Sequence, residues 1–200
     1  MKLGQAIIPQ SVLAKARKDS ARILKAQLYQ SIEREFKVMK EQMIREFTSL
    51  PITQEIAAGP ASANISGTLS GKGNLFGFIG FEQSDKPIEP ILDLLESSFI
   101  VIREGSDHLV TITIPSAASI FAVTPLPWAT GRSWAKGVES GISGLGLYID
   151  KPATGRSTAG FQSKGKSSKG AFKNTQYVSA FIQKYIKRFS SIQSSQLNLK

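Results

Sequence analysis

Cysteine is absent from the 200 residues, which excludes disulfide frameworks, thiol nucleophiles and cysteine-held zinc or iron–sulfur sites. A single histidine, His108, excludes any site that needs two. No apolar run approaches the ~18 residues of a membrane-spanning helix. Residues 1–9 hold only the short apolar stretch Ala6-Ile7-Ile8, so no signal peptide is expected. Without an export signal, Asn64-Ile65-Ser66 is read as a plain tripeptide rather than a glycosylation site. Acidic residues are scarce in one place: none occurs after Asp150.

What the chain does have is positive charge on an otherwise ordinary composition. It is 41% hydrophobic and 20% charged, as a folded protein is, but 25 basic residues face 15 acidic ones, a net +10. Residues 1–60 carry 10 basic and 6 acidic side chains, residues 61–150 carry 5 and 9, and residues 151–200 carry 10 and none. That distribution predicts a body over 1–150, a basic arm over 151–174, and a C-terminal amphipathic helix with its tail over 175–200.

Leu24, Leu28, Ile32, Phe36, Met39, Met43 and Phe47 recur by threes and fours, predicting one helix over 11–47, about 55 Å long. Arg17, Lys18, Arg22, Lys25 and other charged residues fill its remaining faces. Pro51 ends it. Residues 51–56 are read as a short edge strand and the apolar run 75–81 as a buried strand. A second helix is expected from Asp85-Lys86-Pro87, with Ile88, Ile91, Leu92 and Leu95 inward. Residues 99–103 and 109–114 predict a hairpin, 117–123 a short helical turn, 125–134 an irregular segment, and 145–149 a weak strand. Residues 151–174 are rich in Gly, Ser and Lys and read as a mobile arm. Tyr177, Val178, Phe181, Ile182, Tyr185, Ile186 and Phe189 then lay out one apolar face of a last helix. The layout is α+β: a long N-terminal and a C-terminal helix packed on a small antiparallel or mixed sheet with a hairpin.

Motifs that would carry chemistry fail on spacing. Between Gly67 and Gly71-Lys72 stand three residues where a phosphate-binding loop needs four, and Gly73 stands where it needs Ser or Thr. Gly141, Gly144 and Gly146 lack the strand–turn–helix frame of a dinucleotide site. His108 shares a predicted hairpin tip with Asp107 and Glu104, and a triad needs groups that converge from different elements. Nothing in the spacing of Asp93, Glu96 and Glu139 asks for acid–base work. The expectation is a protein that is not an enzyme, with no catalytic, cofactor-binding or metal residues and no cofactor.

Two stretches point to binding. Lys164, Lys166, Lys169 and Lys173 on the arm, with Lys184, Lys187 and Arg188 on the last helix, form an uncompensated basic series that attracts polyanions through counterion release. Base-reading motifs are missing, so a nucleic-acid contact would ignore sequence; an acidic protein surface is the equal alternative. The second stretch is Pro125-Leu126-Pro127-Trp128-Ala129-Thr130-Gly131-Arg132-Ser133-Trp134. Trp128, Arg132 and Trp134 are residue types that anchor protein interfaces, and the alternative is one tryptophan capping the core with the other half exposed.

A long helix, then Ser66-Gly67-Thr68-Leu69, then Gly73-Asn74-Leu75-Phe76-Gly77-Phe78-Ile79-Gly80-Phe81 and a hairpin, resembles the tail-completion and neck (head–tail joining) proteins of tailed bacteriophages, over roughly residues 20–190. In that family a Ser-Gly-Thr-Leu-type turn leads into a strand and hairpin, and a C-terminal helix closes the domain. The resemblance implies a structural protein of the virion, assembled in the host cytoplasm as part of a homo-oligomeric ring. Its partners would be other neck, connector or tail proteins, with non-specific DNA contact as a further option and no membrane span. The tryptophan segment would fall where that family makes subunit contacts. A sequence-independent nucleic-acid-binding protein using the basic arm is the rival expectation.

Overall fold

The computed structural model describes residues 10–69, 73–103, 109–140 and 175–197. The predicted strand over 145–149, the loop that carries His108, and the arm over 151–174 lie outside the described residues.

Helix α1 (Gln10–Ser49) runs unbroken through 40 residues, about 60 Å. Its apolar stripe is buried only in the second half, where Ile32, Phe36, Met43 and Phe47 enter the core. Leu24, at the head of the predicted stripe, is 65% exposed. The cover comes from α7 (Val178–Leu197). Phe47 meets Tyr177 and Phe181 at ring separations of 5.8 and 5.4 Å, and Phe36 meets Phe189 at 5.6 Å. Numbers rise along α1 as they fall along α7, so the two helices are antiparallel. Packing starts near Leu28, and residues 10–27 form an overhang about 27 Å long.

Two expected strands are helices. Residues 51–56 belong to α2 (Pro51–Ala57), because Pro51 in the first turn lacks an N–H that no helix bond needs there. Ile52 and Ile56, one turn apart, then fall on the same inward face. Residues 75–79 form α3 (Leu75–Ile79), one turn closed at both ends. Asn74 Oδ1 accepts the Gly77 N–H at 2.8 Å as N-cap. At the other end Gly80 takes φ 92°, a left-handed conformation that favours glycine. Phe81 N–H then reaches the Phe76 carbonyl at 3.2 Å and Gly80 N–H the Gly77 carbonyl at 3.1 Å, while the Phe76 and Phe81 rings meet at 5.3 Å. This is a complete Schellman stop with its apolar contact.

The second expected helix is α4 (Glu89–Glu96), with Pro90 rather than Pro87 in its first turn. Ile88, Ile91 and Leu95 are buried as expected, and Leu92 is half-buried. Lys40 of α1 donates to the Glu96 carbonyl and, at 2.9 Å, to that of Ser98, so an ammonium from one helix closes the carbonyl end of another. Strands β1 (Phe99–Arg103) and β2 (Leu109–Thr113) pair antiparallel with Phe99 opposite Thr113 and Arg103 opposite Leu109, as expected of the hairpin.

After α5 (Ala117–Ala122), the segment expected to be irregular is a second antiparallel hairpin, β3 (Pro125–Leu126) and β4 (Ala129–Ser133). Thr124 fixes its base: its hydroxyl meets that of Ser133 at 2.7 Å and its carbonyl accepts the Trp134 N–H at 2.9 Å. Helix α6 (Trp134–Ser140) follows, started by Ser133 Oγ, which accepts the Lys136 N–H at 3.1 Å. Glu139 then accepts both the N–H and the hydroxyl of Ser179 at 2.6 Å, placing a carboxylate on the first turn of α7. The class is α+β, with two small antiparallel sheets on a mainly helical body.

Candidate interaction surface

The tryptophan segment divides between interior and surface. Trp134 is 1% exposed, with its ring edge-on to Phe81 at 5.8 Å and 6.3 Å from Tyr177. It is a core residue of the folded monomer and offers nothing to a partner. Trp128 is half-buried and donates its Nε1–H to the Ile79 carbonyl at 2.8 Å, which ties the β3–β4 turn to the end of α3. Arg132 is exposed beside a groove of about 720 Å³ that Phe121, Lys136 and Ser140 also line. Of the three expected anchors, only Arg132 is open to a partner and Trp128 partly so. The sequence could not separate the two tryptophans, since both fall within the one short stretch 125–134.

The basic series is also divided. Lys164, Lys166, Lys169 and Lys173 lie outside the described residues. Lys184 and Arg188 on α7 turn towards Glu46 of α1: Lys184 pairs with Oε1 and Arg188 approaches Oε2 at 3.4 Å. The Tyr185 hydroxyl donates to the same Oε2 at 2.7 Å. The Lys184 hydrogen bond, aided by Tyr185 and by both cations, holds the Glu46 carboxyl below its ordinary range against the opposing effect of burial. Burial first, and then the bond to Glu46, pushes the Tyr185 phenol up to about 12, so it stays a donor. These cations therefore work inside the monomer, joining its two longest helices. Glu46→Gln is expected to cost about 1 kcal/mol, since the cluster is partly solvated. Urea unfolding at neutral pH checks this, and an unchanged midpoint would mean the cluster contributes nothing. Lys187 remains exposed on the outer side of α7.

The largest uncovered feature is the α1 overhang. Every side chain described between residues 11 and 24 is exposed, including Ile23 at 59%. Lys15, Lys18, Arg22 and Lys25 follow at i, i+3, i+7 and i+10, which puts them along one side of the helix. Lys25 also lies over the Tyr29 ring at 5.5 Å. The cations were visible in the sequence, but reading them as filler between apolar positions hid their common side; the spacing itself was the signal.

Among the described residues no group of three or more His, Asp or Glu side chains is placed to hold a metal ion, and no helix is long and apolar enough to cross a membrane. A second groove of about 510 Å³ is lined by Phe81, Glu82, Asp85, Lys86, Pro127 and Trp134. Compared with known protein families, with curated proteins and with solved structures, the chain matches none.

Proposed function

We propose that this chain is a structural virion protein of a tailed bacteriophage, stationed at the neck or tail end in tail completion or head–tail joining. Copies assemble as part of a ring by protein–protein contact, without catalysis or cofactor. The order of elements that resembles the neck and tail-completion proteins supports this reading. One observation carries it: about 27 Å of continuous helix with Ile23 and Leu24 59% and 65% exposed. Apolar side chains on such an exposed helix gain only when a partner covers them.

The test is particle composition together with assembly. Mass spectrometry of purified particles should find the chain at ring stoichiometry, and light scattering should find the isolated protein oligomeric. Ile23→Asp with Leu24→Asp should shift it to monomer with an unchanged unfolding midpoint, because both side chains are exposed. Absence from particles would end the reading. The exposed cations of the overhang favour one rival, sequence-independent nucleic-acid binding, which requires affinity that falls steeply with salt.

A further inference from the structure

Two oppositely charged surfaces stand among the described residues, and within one copy they lie apart. The overhang, residues 10–27, carries five cations against Asp19 alone, a net +4. Residues 82–98 carry Glu82, Asp85, Glu89, Asp93 and Glu96 against Lys86 alone, a net −4. On α4, Glu89, Asp93 and Glu96 follow at i, i+4 and i+7, so they share one side of the helix, opposite the buried Ile91 and Leu95. All three are exposed. Lys86 pairs with Glu89 at 2.9 Å in the open, and the Lys40 ammonium lies at the Glu96 main-chain carbonyl, so two cations already stand beside the row. The seven-residue interval from Glu89 to Glu96 equals that from Lys15 to Arg22 and from Lys18 to Lys25, about 10 Å of helix rise.

Within a protomer these surfaces are held apart. Lys40 fixes α4 to α1 through the Glu96 and Ser98 carbonyls, and Lys25 lies a further 15 residues, about 22 Å, along the same straight helix. Among the described residues, the complement of each therefore stands on another copy. We propose that the Lys15–Lys18–Arg22–Lys25 side of α1 docks on the Glu89–Asp93–Glu96 side of α4 of a second copy. This rests on the assembly reading above and names the surfaces that carry it. Single exposed ion pairs contribute little, so the work is done by a row in register, which fixes orientation and speeds encounter; Ile23 and Leu24, at i+8 and i+9 from Lys15, lie on the far side of α1 and take no part in this contact. Because the two patches differ, the contact is head-to-tail, and repetition gives a closed ring or a filament. A nucleic acid would satisfy the cations and leave the acidic row repelled; a second copy accounts for both.

Charge reversal tests the pairing. Lys18→Glu with Arg22→Glu, and separately Asp93→Lys with Glu96→Lys, change only exposed positions; Lys18→Gln with Arg22→Gln is the milder variant should either reversal unfold. Sedimentation velocity at about 0.05 M salt should show the wild type associating, and about 0.5 M salt should weaken it. Each reversed variant alone should associate about tenfold more weakly or worse, because like charges then face each other. An equimolar mixture should recover association, since every contact between unlike variants is again cation on carboxylate. Failure of the mixture to recover, or wild-type-like association of either variant alone, overturns the pairing while leaving a ring built through other surfaces. A wild type that sediments as a monomer at low salt also overturns it, and the virion reading is then decided by particle composition alone. Binding of a short DNA duplex that is lost with Lys18→Glu and Arg22→Glu, while self-association stays intact, would make nucleic acid the occupant and overturn the proposal.

Discussion

Replacing Trp134 by alanine is expected to remove about 4 kcal/mol of folding stability, the range seen when a large aromatic leaves a close-packed interior. Three facts set the size of that effect. The side chain is 1% exposed; its ring joins Phe81, just past α3, to Tyr177, just before α7; and its backbone N–H holds the base of the second hairpin through the Thr124 carbonyl. Truncation therefore opens a void where three elements meet, walled by rings that are themselves packed, Phe81 against Phe76 and Tyr177 against Phe47. For a chain of this size the melting temperature should fall by roughly 10 °C. Thermal and urea unfolding measure it. If stability held while self-association vanished, Trp134 would be an interface anchor after all and the buried placement would be wrong.

Glu55→Gln is expected to cost about 3 kcal/mol, through the loss of several charge-assisted hydrogen bonds around one carboxylate. Glu55 has no exposed surface, yet it carries a satisfied charge. Its oxygens accept the Asn64 side-chain amide at 2.9 and 3.1 Å, the Ser66 N–H at 2.8 Å and the Leu75 N–H at 2.7 Å. Asn64 Oδ1 in turn accepts the Leu69 N–H at 3.0 Å. One side chain from α2 thus gathers the loop that leads to α3. A glutamine would turn an N–H₂ towards donors and leave buried groups unpaired. The pH dependence follows from the same geometry. Burial pushes the carboxyl up, but the bonds from Ser66, Asn64 and the Leu75 backbone outweigh it, and the net direction is below the ordinary glutamate value of 4.5. Since the folded state holds the charged form more strongly, its contribution is complete above about pH 4.5 and is lost as pH falls through the lower folded value. Urea midpoints recorded from neutral pH into the acid range should show that decline in the wild type and a shallower one in Glu55→Gln. Equal slopes would assign acid sensitivity elsewhere, Glu46 first.

Much of the helical frame was legible because its signal is periodic. The spacing from Leu28 to Phe47 and that from Tyr177 to Phe189 each specify one apolar face, and the structure sets those faces against each other, with Ile186, 47% exposed, the exception. The β1–β2 hairpin was legible from two short β-branched stretches on either side of Glu104-Gly105-Ser106-Asp107-His108. Five residues make too short a stretch for a 3.6-residue period to register, so Leu75–Ile79 read as a strand. Asn74 and Gly80 were the punctuation that a helix reading needed. Residues 51–56 misled in the same way, since Pro51 opens a helix as readily as it closes one. The buried carboxylate could not be found at all. Its partners lie 9, 11 and 20 residues away, and nothing local distinguishes Glu55 from a solvated glutamate. Trp134 was misplaced for a related reason: a tryptophan among Gly, Arg and Ser looks exposed until the hairpin before it turns it inward.

The pairing of α1 with α7 also sets a timetable for biosynthesis. Phe47 waits for Tyr177, and Phe36 for Phe189, so the central aromatic stack cannot close until the ribosome has released the chain through Phe189. At ordinary translation speeds that interval is on the order of ten seconds. Throughout it the nascent α1 carries Phe36, Met43 and Phe47 bare, a natural client for a chaperone. Messages cut short before the codon for Tyr177 should accordingly yield protease-sensitive product in place of a truncated but folded body.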